Sequence, residues 1–121
     1  MPWFYLMMAG LMEIGWPVGL KLAWADERFR WWPAVLAVGC MAFSGLFLFL
    51  AQRHIPMGTA YAVWTGIGSV GAVVVGLMFF GEPATAVRLL CVTMIVAGIV
   101  GLKLCHEDKL SPPPVAVSLK E

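Results

Sequence analysis

The sequence predicts an all-α integral membrane protein, a bundle of four transmembrane helices. Three observations carry this. Of 121 residues, 61% are hydrophobic and only 12% are charged, against about 45–50% and about 25% in soluble domains. Mean hydropathy is +0.87. The charges cluster between long apolar stretches: no charge occurs from Trp31 to Gln52 or from Ile55 to Gly81. Prolines 33, 56 and 83 each stand near the N-terminal end of such a stretch, where a missing N–H is harmless. A spanning helix takes about 20 residues, so four spans use most of this length.

The first span is expected at 3–25 and is unusual in containing Glu13 and Lys21. Asp26-Glu27-Arg28-Phe29-Arg30 separates it from the second, at 33–52. Arg53-His54-Ile55-Pro56 precedes the third, at 57–80, and Gly81-Glu82-Pro83 precedes the fourth, at 84–104. The four spans form one domain, 1–104. Residues 105–121, which include Pro112-Pro113-Pro114, are expected to form a flexible tail. A β-barrel would need alternating strands of about 9–11 residues, and none is visible. A cleavable signal peptide is not expected, because early basic residues are absent and a carboxylate stands at position 13.

Several function classes fall away. A net charge of +1 leaves no basic patch for nucleic acid. Cys40, Cys91 and Cys105 show no metal-ligand spacing and read as small buried hydrophobes; no metal or cofactor is expected. His54 and His106 are isolated and read as solvated polar residues in a loop and in the tail. Gly66-Ile67-Gly68-Ser69-Val70-Gly71 spells G-x-G-x-x-G, but it lies inside an apolar run, and the next acid, Glu82, comes only eleven residues later. A dinucleotide site needs a preceding strand and an acid about 20 residues on. Glycines clustered in a membrane helix serve close packing or a bend instead. No nucleophile–base pair suggests an enzyme.

Four spans put both termini on one side of the bilayer. Lys21, Arg28, Arg30 and Arg88 then face the other side, and Arg53, Lys103, Lys109 and Lys120 face the terminal side. Orientation follows the difference in Lys and Arg, which here is zero. Either a partner sets the orientation or the chain inserts both ways, and insertion both ways would permit an antiparallel homodimer.

Glu13 falls near the bilayer midplane. An ionisable group there costs at least about 2.5–3.5 kcal/mol on insertion scales and marks a functional site by default. Helical spacing puts Gly10, Trp16 and Pro17 on its face. Gly10 is expected to leave room beside the carboxylate, and Trp16 to offer an aromatic wall and an indole N–H. The bland alternative is a carboxylate paired with Lys21, but that residue lies about 12 Å along the axis. Tyr61 and Trp64 stand three apart on the third span, and both carry polar atoms that need partners in hydrocarbon. Ser44 is the central hydroxyl of the second span and can bond a carboxylate, although such serines usually bond back to their own helix.

Gly10-Leu11-Met12-Glu13-Ile14-Gly15-Trp16 followed by Leu20-Lys21, together with Pro56-Met57-Gly58-Thr59-Ala60-Tyr61-Ala62-Val63-Trp64-Thr65-Gly66-Ile67-Gly68, resembles the first and third helices of the small multidrug resistance transporters. The resemblance covers residues 1–104. Trp16 and the Gly-Thr-Ala-Tyr-Ala-x-Trp-Thr-Gly-Ile-Gly stretch look most like the guanidinium exporter subtype. It implies a proton-coupled antiporter of the bacterial inner membrane, working as an antiparallel, dual-topology homodimer. Glu13 would bind cation and proton in turn; Trp16, Ser44, Tyr61, Trp64 and Gly10 would form the pocket. Gly66 and Gly68 would bend the third helix, and Ala97, Gly98 and Gly101 would lie in the dimer contact, with small-xxx-small spacing.

Three features depart from the family pattern. Pro17 replaces a small residue and is expected to kink the first helix at the site. The first loop is about two residues longer than usual, and the tail is extended. A quaternary ammonium exporter, one half of a heteromeric pair with a paralogue, and a non-transporting membrane subunit remain as alternatives.

Overall fold

The computed structural model describes residues 1–108. They form α1 (Pro2–Ala23), α2 (Trp31–Gln52), α3 (Met57–Phe79) and α4 (Ala86–Asp108), with no strand among them. Each helix has 22 or 23 residues, about 33 Å at 1.5 Å per residue, which matches a hydrocarbon core of about 30 Å. All four are long and apolar enough to cross a membrane.

The helix ends differ from expectation for local reasons. α2 starts at Trp31, so Pro33 is its third residue, still among the first four N–H groups that have no partner within the helix. α4 starts at Ala86 because Thr85 caps it: the Thr85 hydroxyl accepts the Arg88 backbone N–H at 3.3 Å. α4 also continues through Asp108, so residues 105–108 are helical; the rest of the segment expected as a tail lies outside the described residues. His106 is not a solvated tail residue. Its ring meets Trp3 edge-on at 5.7 Å, and the Lys103 ammonium lies 5.6 Å from the Trp3 ring centre. These contacts place the start of α1 beside the end of α4.

The interior is small. Leu6, Ala51, Ile55, Ala60 and Val63 form a buried cluster, with Trp3, Leu48, Trp64, Ile67 and Ile99 packed around it. Large apolar side chains such as Phe43, Phe49, Met78 and Val87 point outward, the arrangement suited to lipid. α1 packs on both α2 and α3, whereas α4 packs closely on α3 alone. Small residues permit the close approaches, as is usual where lipid is as apolar as the side chains. A Cβ on Gly19 would fall 2.8 Å from the Pro33 carbonyl oxygen of α2, and one on Gly66 would fall 2.5 Å from Ile99 of α4.

α1 is helical without interruption through Pro17, and α3 is helical through Gly66 and Gly68. These glycines are points of close packing in this structure. Ala97 and Gly98 are exposed on α4, Gly101 is half-buried, and open space surrounds a Cβ at Gly98 or Gly101.

Candidate functional site

Glu13 sits at the middle of α1. Its two carboxylate oxygens are held by different helices. Trp16, one turn on, donates its indole N–H to Oε1 at 2.8 Å. Ser44 of α2 lies with its hydroxyl 2.9 Å from Oε2 and 2.9 Å from the Ala9 carbonyl oxygen. Trp64 of α3 donates its indole N–H to Ser44 Oγ at 2.9 Å. A hydroxyl has one proton, so Ser44 donates either to Glu13 or to Ala9 while it accepts from Trp64. Ser44 is fully buried, and no buried side-chain polar atom among the described residues lacks a partner. A relay of donors therefore runs from α3 through α2 to the carboxylate on α1.

Every donor to Glu13 is neutral. Among the described residues no Lys, Arg or His pairs with it. Lys21 is engaged elsewhere: its ammonium lies 2.9 Å from Glu82 Oε1. Arg88 donates to the other oxygen of Glu82. The Arg88 guanidinium, and after it the Lys21 ammonium, hold the Glu82 carboxyl below the usual carboxylate range. Lys21 and Arg88 thus pair with the surface acid, and no cation among the described residues pairs with the mid-helix one.

One side of Glu13 is open. A cleft of about 220 Å³ is lined by Glu13, Trp16, Pro17, Thr65, Gly68, Ser69 and Ala72. The room beside the carboxylate comes from Gly68, where a Cβ would fall 2.6 Å from Glu13 Cγ. The expectation for Gly10 is corrected here. The space at Gly10 is taken by Ile67, 2.6 Å from the position of a Cβ, because Gly10 faces the body of α3.

The remaining residues singled out in the sequence separate into two sets. Ser44 and Trp64 lie behind the carboxylate and hold it. Tyr61 is 55% exposed, packs edge-on against Trp64 at 5.3 Å, and is not part of the cleft lining. Thr65, Ser69 and Ala72 were not anticipated. They continue the helical face that starts at Tyr61, so following that face for three turns would have found them. The Thr65 and Ser69 hydroxyls bond back to the Tyr61 and Gly66 carbonyls, at 2.8 and 3.1 Å, and so present oxygen lone pairs rather than protons to the cleft. A larger hollow of about 500 Å³ lies between Leu11, Val18, Val75 and Phe79; its lining is apolar and offers nothing to a cation. No group of three or more His, Cys, Asp or Glu residues gathers as a metal site among the described residues.

Four apolar spans, with a hydrogen-bonded carboxylate beside a cleft at the middle of the first, define a multi-pass membrane protein. The model of the small multidrug resistance protein family matches residues 1–95, and the chain belongs to that family. It is 47% identical over 104 residues to a guanidinium exporter of Citrobacter freundii, covering 86% of this chain and 97% of the relative. Identity and coverage are the same for a guanidinium exporter of Escherichia coli strain K12. For one of Salmonella typhimurium the identity is 46%, with the same coverage. The chain is accordingly a transport protein of the bacterial inner membrane and not an enzyme.

Proposed function

We propose that this protein exports small cations, guanidinium above all, in exchange for protons, with both competing for Glu13. The carrying observation is a mid-membrane carboxylate held only by neutral donors beside an open cleft. The names of its relatives, guanidinium exporters at 46–47% identity, support the choice of cation.

The chemistry follows from lone pairs. An ionised carboxylate has about four acceptor positions, and Trp16 and Ser44 use one on each oxygen. A planar guanidinium can donate two parallel N–H bonds to the positions left over. The Trp16 ring, fixed by its own hydrogen bond, stands beside it as a cation–π wall. A proton arriving on Glu13 removes the charge that holds the cation, so the two ligands exclude each other. Ser44 can follow this change by turning its single proton from Oε2 to the Ala9 carbonyl. An empty site carries an uncompensated charge inside hydrocarbon, which opposes switching without a passenger.

The unit in this reading is an antiparallel homodimer, which brings two Glu13 residues to one pathway. The exposed apolar face of α4, with Ala97, Gly98 and Gly101, supports this, as does the balance of positive charge across the membrane. Tyr61, outside the cleft of its own protomer, would then meet the pathway from the dimer side. Gly66, Gly68 and Pro17 would act as hinges during the switch.

Solid-supported-membrane electrophysiology on reconstituted protein tests the reading. Guanidinium and methylguanidinium pulses should give currents and tetrapropylammonium should not. Equal currents from tetrapropylammonium would favour a quaternary ammonium exporter. Flux appearing only with a co-reconstituted paralogue would favour a heteromeric pair. No current under either condition would leave a non-transporting subunit.

A further inference from the structure

A groove leads from Glu13 toward the membrane surface. On α1 it is bordered by Glu13, Pro17 and Lys21, spaced four residues apart; on α3 by Gly68, Ala72 and Gly76, in the same spacing. A second cleft, of about 130 Å³, contains Pro17, Ala72, Lys21, Gly76, Phe80 and Glu82 in its lining. It shares Pro17 and Ala72 with the cleft at Glu13, so the two adjoin. Eight helical residues separate Glu13 from Lys21, about 12 Å.

The outer end repeats the chemistry of the inner one. A carboxylate, Glu82, stands beside an aromatic ring, Phe80, as Glu13 stands beside Trp16. Glu82 is placed by the backbone. Gly81 takes a left-handed conformation, φ +63°, which returns the Glu82 N–H to the Gly76 carbonyl at 3.1 Å. A Cβ at Gly76 would lie 2.6 Å from the Glu82 carboxylate, so the glycine lets that group lie against α3. This outer pair already holds cations, both of them the chain's own: the Arg88 guanidinium on Glu82, and the Lys21 ammonium on Glu82 and 4.3 Å from the Phe80 ring centre. Both side chains are partly exposed, so a dissolved cation can compete with them.

We infer that Glu82 and Phe80 form a second, surface cation site, a relay at the mouth of the groove where a passing guanidinium-type cation displaces the Arg88 side chain. The inference rests on the proposed function. In an antiparallel dimer one such relay would face each side of the membrane. Arg88 acts there as a tethered competitor that closes the mouth when no substrate is present. The relay sets the speed of passage, and Glu13 sets the affinity.

Two variants in proteoliposomes separate this from a purely structural clasp. Glu82→Gln should slow guanidinium-driven current about three- to fivefold, the scale of an exposed ion-pair contribution, while calorimetric guanidinium affinity in detergent stays within about twofold. Arg88→Lys keeps the positive charge but loses the planar fork that competes for the carboxylate; its current should exceed that of the wild type. A clasp that only holds the fold would be weakened by both changes, so slowing in both variants overturns the relay. An unchanged or faster Glu82→Gln current, or an affinity loss matching the loss of rate, overturns it as well and leaves the Glu13 reading intact. If Glu82→Gln does not assemble, Arg88→Lys decides alone: a faster current supports the relay, and an unchanged or slower one overturns it. No guanidinium current from the wild type would overturn the relay together with the reading on which it rests.

Discussion

Glu13 and Glu82 are both carboxylates with two hydrogen-bonded oxygens, yet their surroundings are opposite. Glu82 is at the surface and receives a guanidinium and an ammonium from its own chain. Glu13 is in mid-helix, where an ionised group is most costly, and receives only a serine hydroxyl and an indole N–H. A chain built for stability alone would place its cations the other way round. The difference teaches that the chain pairs its surface carboxylate with its own cations and leaves the mid-helix one oriented by neutral donors alone.

Equivalent substitutions at the two carboxylates sharpen this contrast. Gly68→Ala and Gly76→Ala each put a methyl 2.6 Å from glutamate atoms. At Gly68 the obstructed atom is Cγ, close to the α1 backbone and unable to swing clear. Gly68→Ala should cost about 1–3 kcal/mol of packing strain, with guanidinium binding lost. At Gly76 the obstructed atoms are the end of a flexible, half-buried side chain, so Gly76→Ala should bind guanidinium as the wild type does. Calorimetric titration of both proteins in detergent checks the pair; equal loss in both would remove the distinction.

Ser44→Ala is expected to have the next largest effect. It leaves the Trp64 indole N–H without its acceptor and Glu13 Oε2 without its donor. An unsatisfied buried group costs about 1–3 kcal/mol, so guanidinium affinity should fall by about tenfold or more and thermal stability should drop. Affinity within about twofold of wild type would show that the hydroxyl does not hold the carboxylate in its working state.

The smallest effect concerns acid. The Glu82 carboxyl is held below its ordinary value of 4.5 by Arg88 and then by Lys21. A lowered pKa contributes stability that is present above the ordinary value and is lost as pH falls through the lowered one. Melting temperature in detergent should therefore decline slightly below pH 4.5, and Glu82→Gln should remove that part of the decline. Identical acid profiles for the variant and the wild type would mean that the pairs are too exposed to matter.

The elements were legible from charge punctuation, because a charge inside hydrocarbon is rare enough to mark helix ends. α2 and α3 lie within two residues of their expected bounds. α4 was shifted because its start depends on the Thr85 cap, and its end on packing between Trp3 and His106. Glu13 stood out for the same reason as the helix ends: it is a charge where none belongs. Its surroundings were less legible, since helical spacing shows which residues share a face but not which neighbour that face meets. Gly10 shares a helical face with Glu13 and Gly68 lies on another helix, and only packing shows that Ile67 fills the first position and the carboxylate stem borders the second. Lys21 and Glu82 are 61 residues apart, and nothing local in the sequence pairs them.

The central claim is that Glu13 is the common binding group for cation and proton. Titration calorimetry with guanidinium, on purified wild type and Glu13→Gln across a pH series, tests it most directly. The wild type should bind guanidinium and lose affinity as the solution is acidified, while releasing protons on binding. Glu13→Gln, which keeps the shape and the hydrogen-bonding neighbours but not the charge, should show no binding at any pH. Guanidinium binding by Glu13→Gln, or wild-type affinity that does not change with pH, would contradict the account.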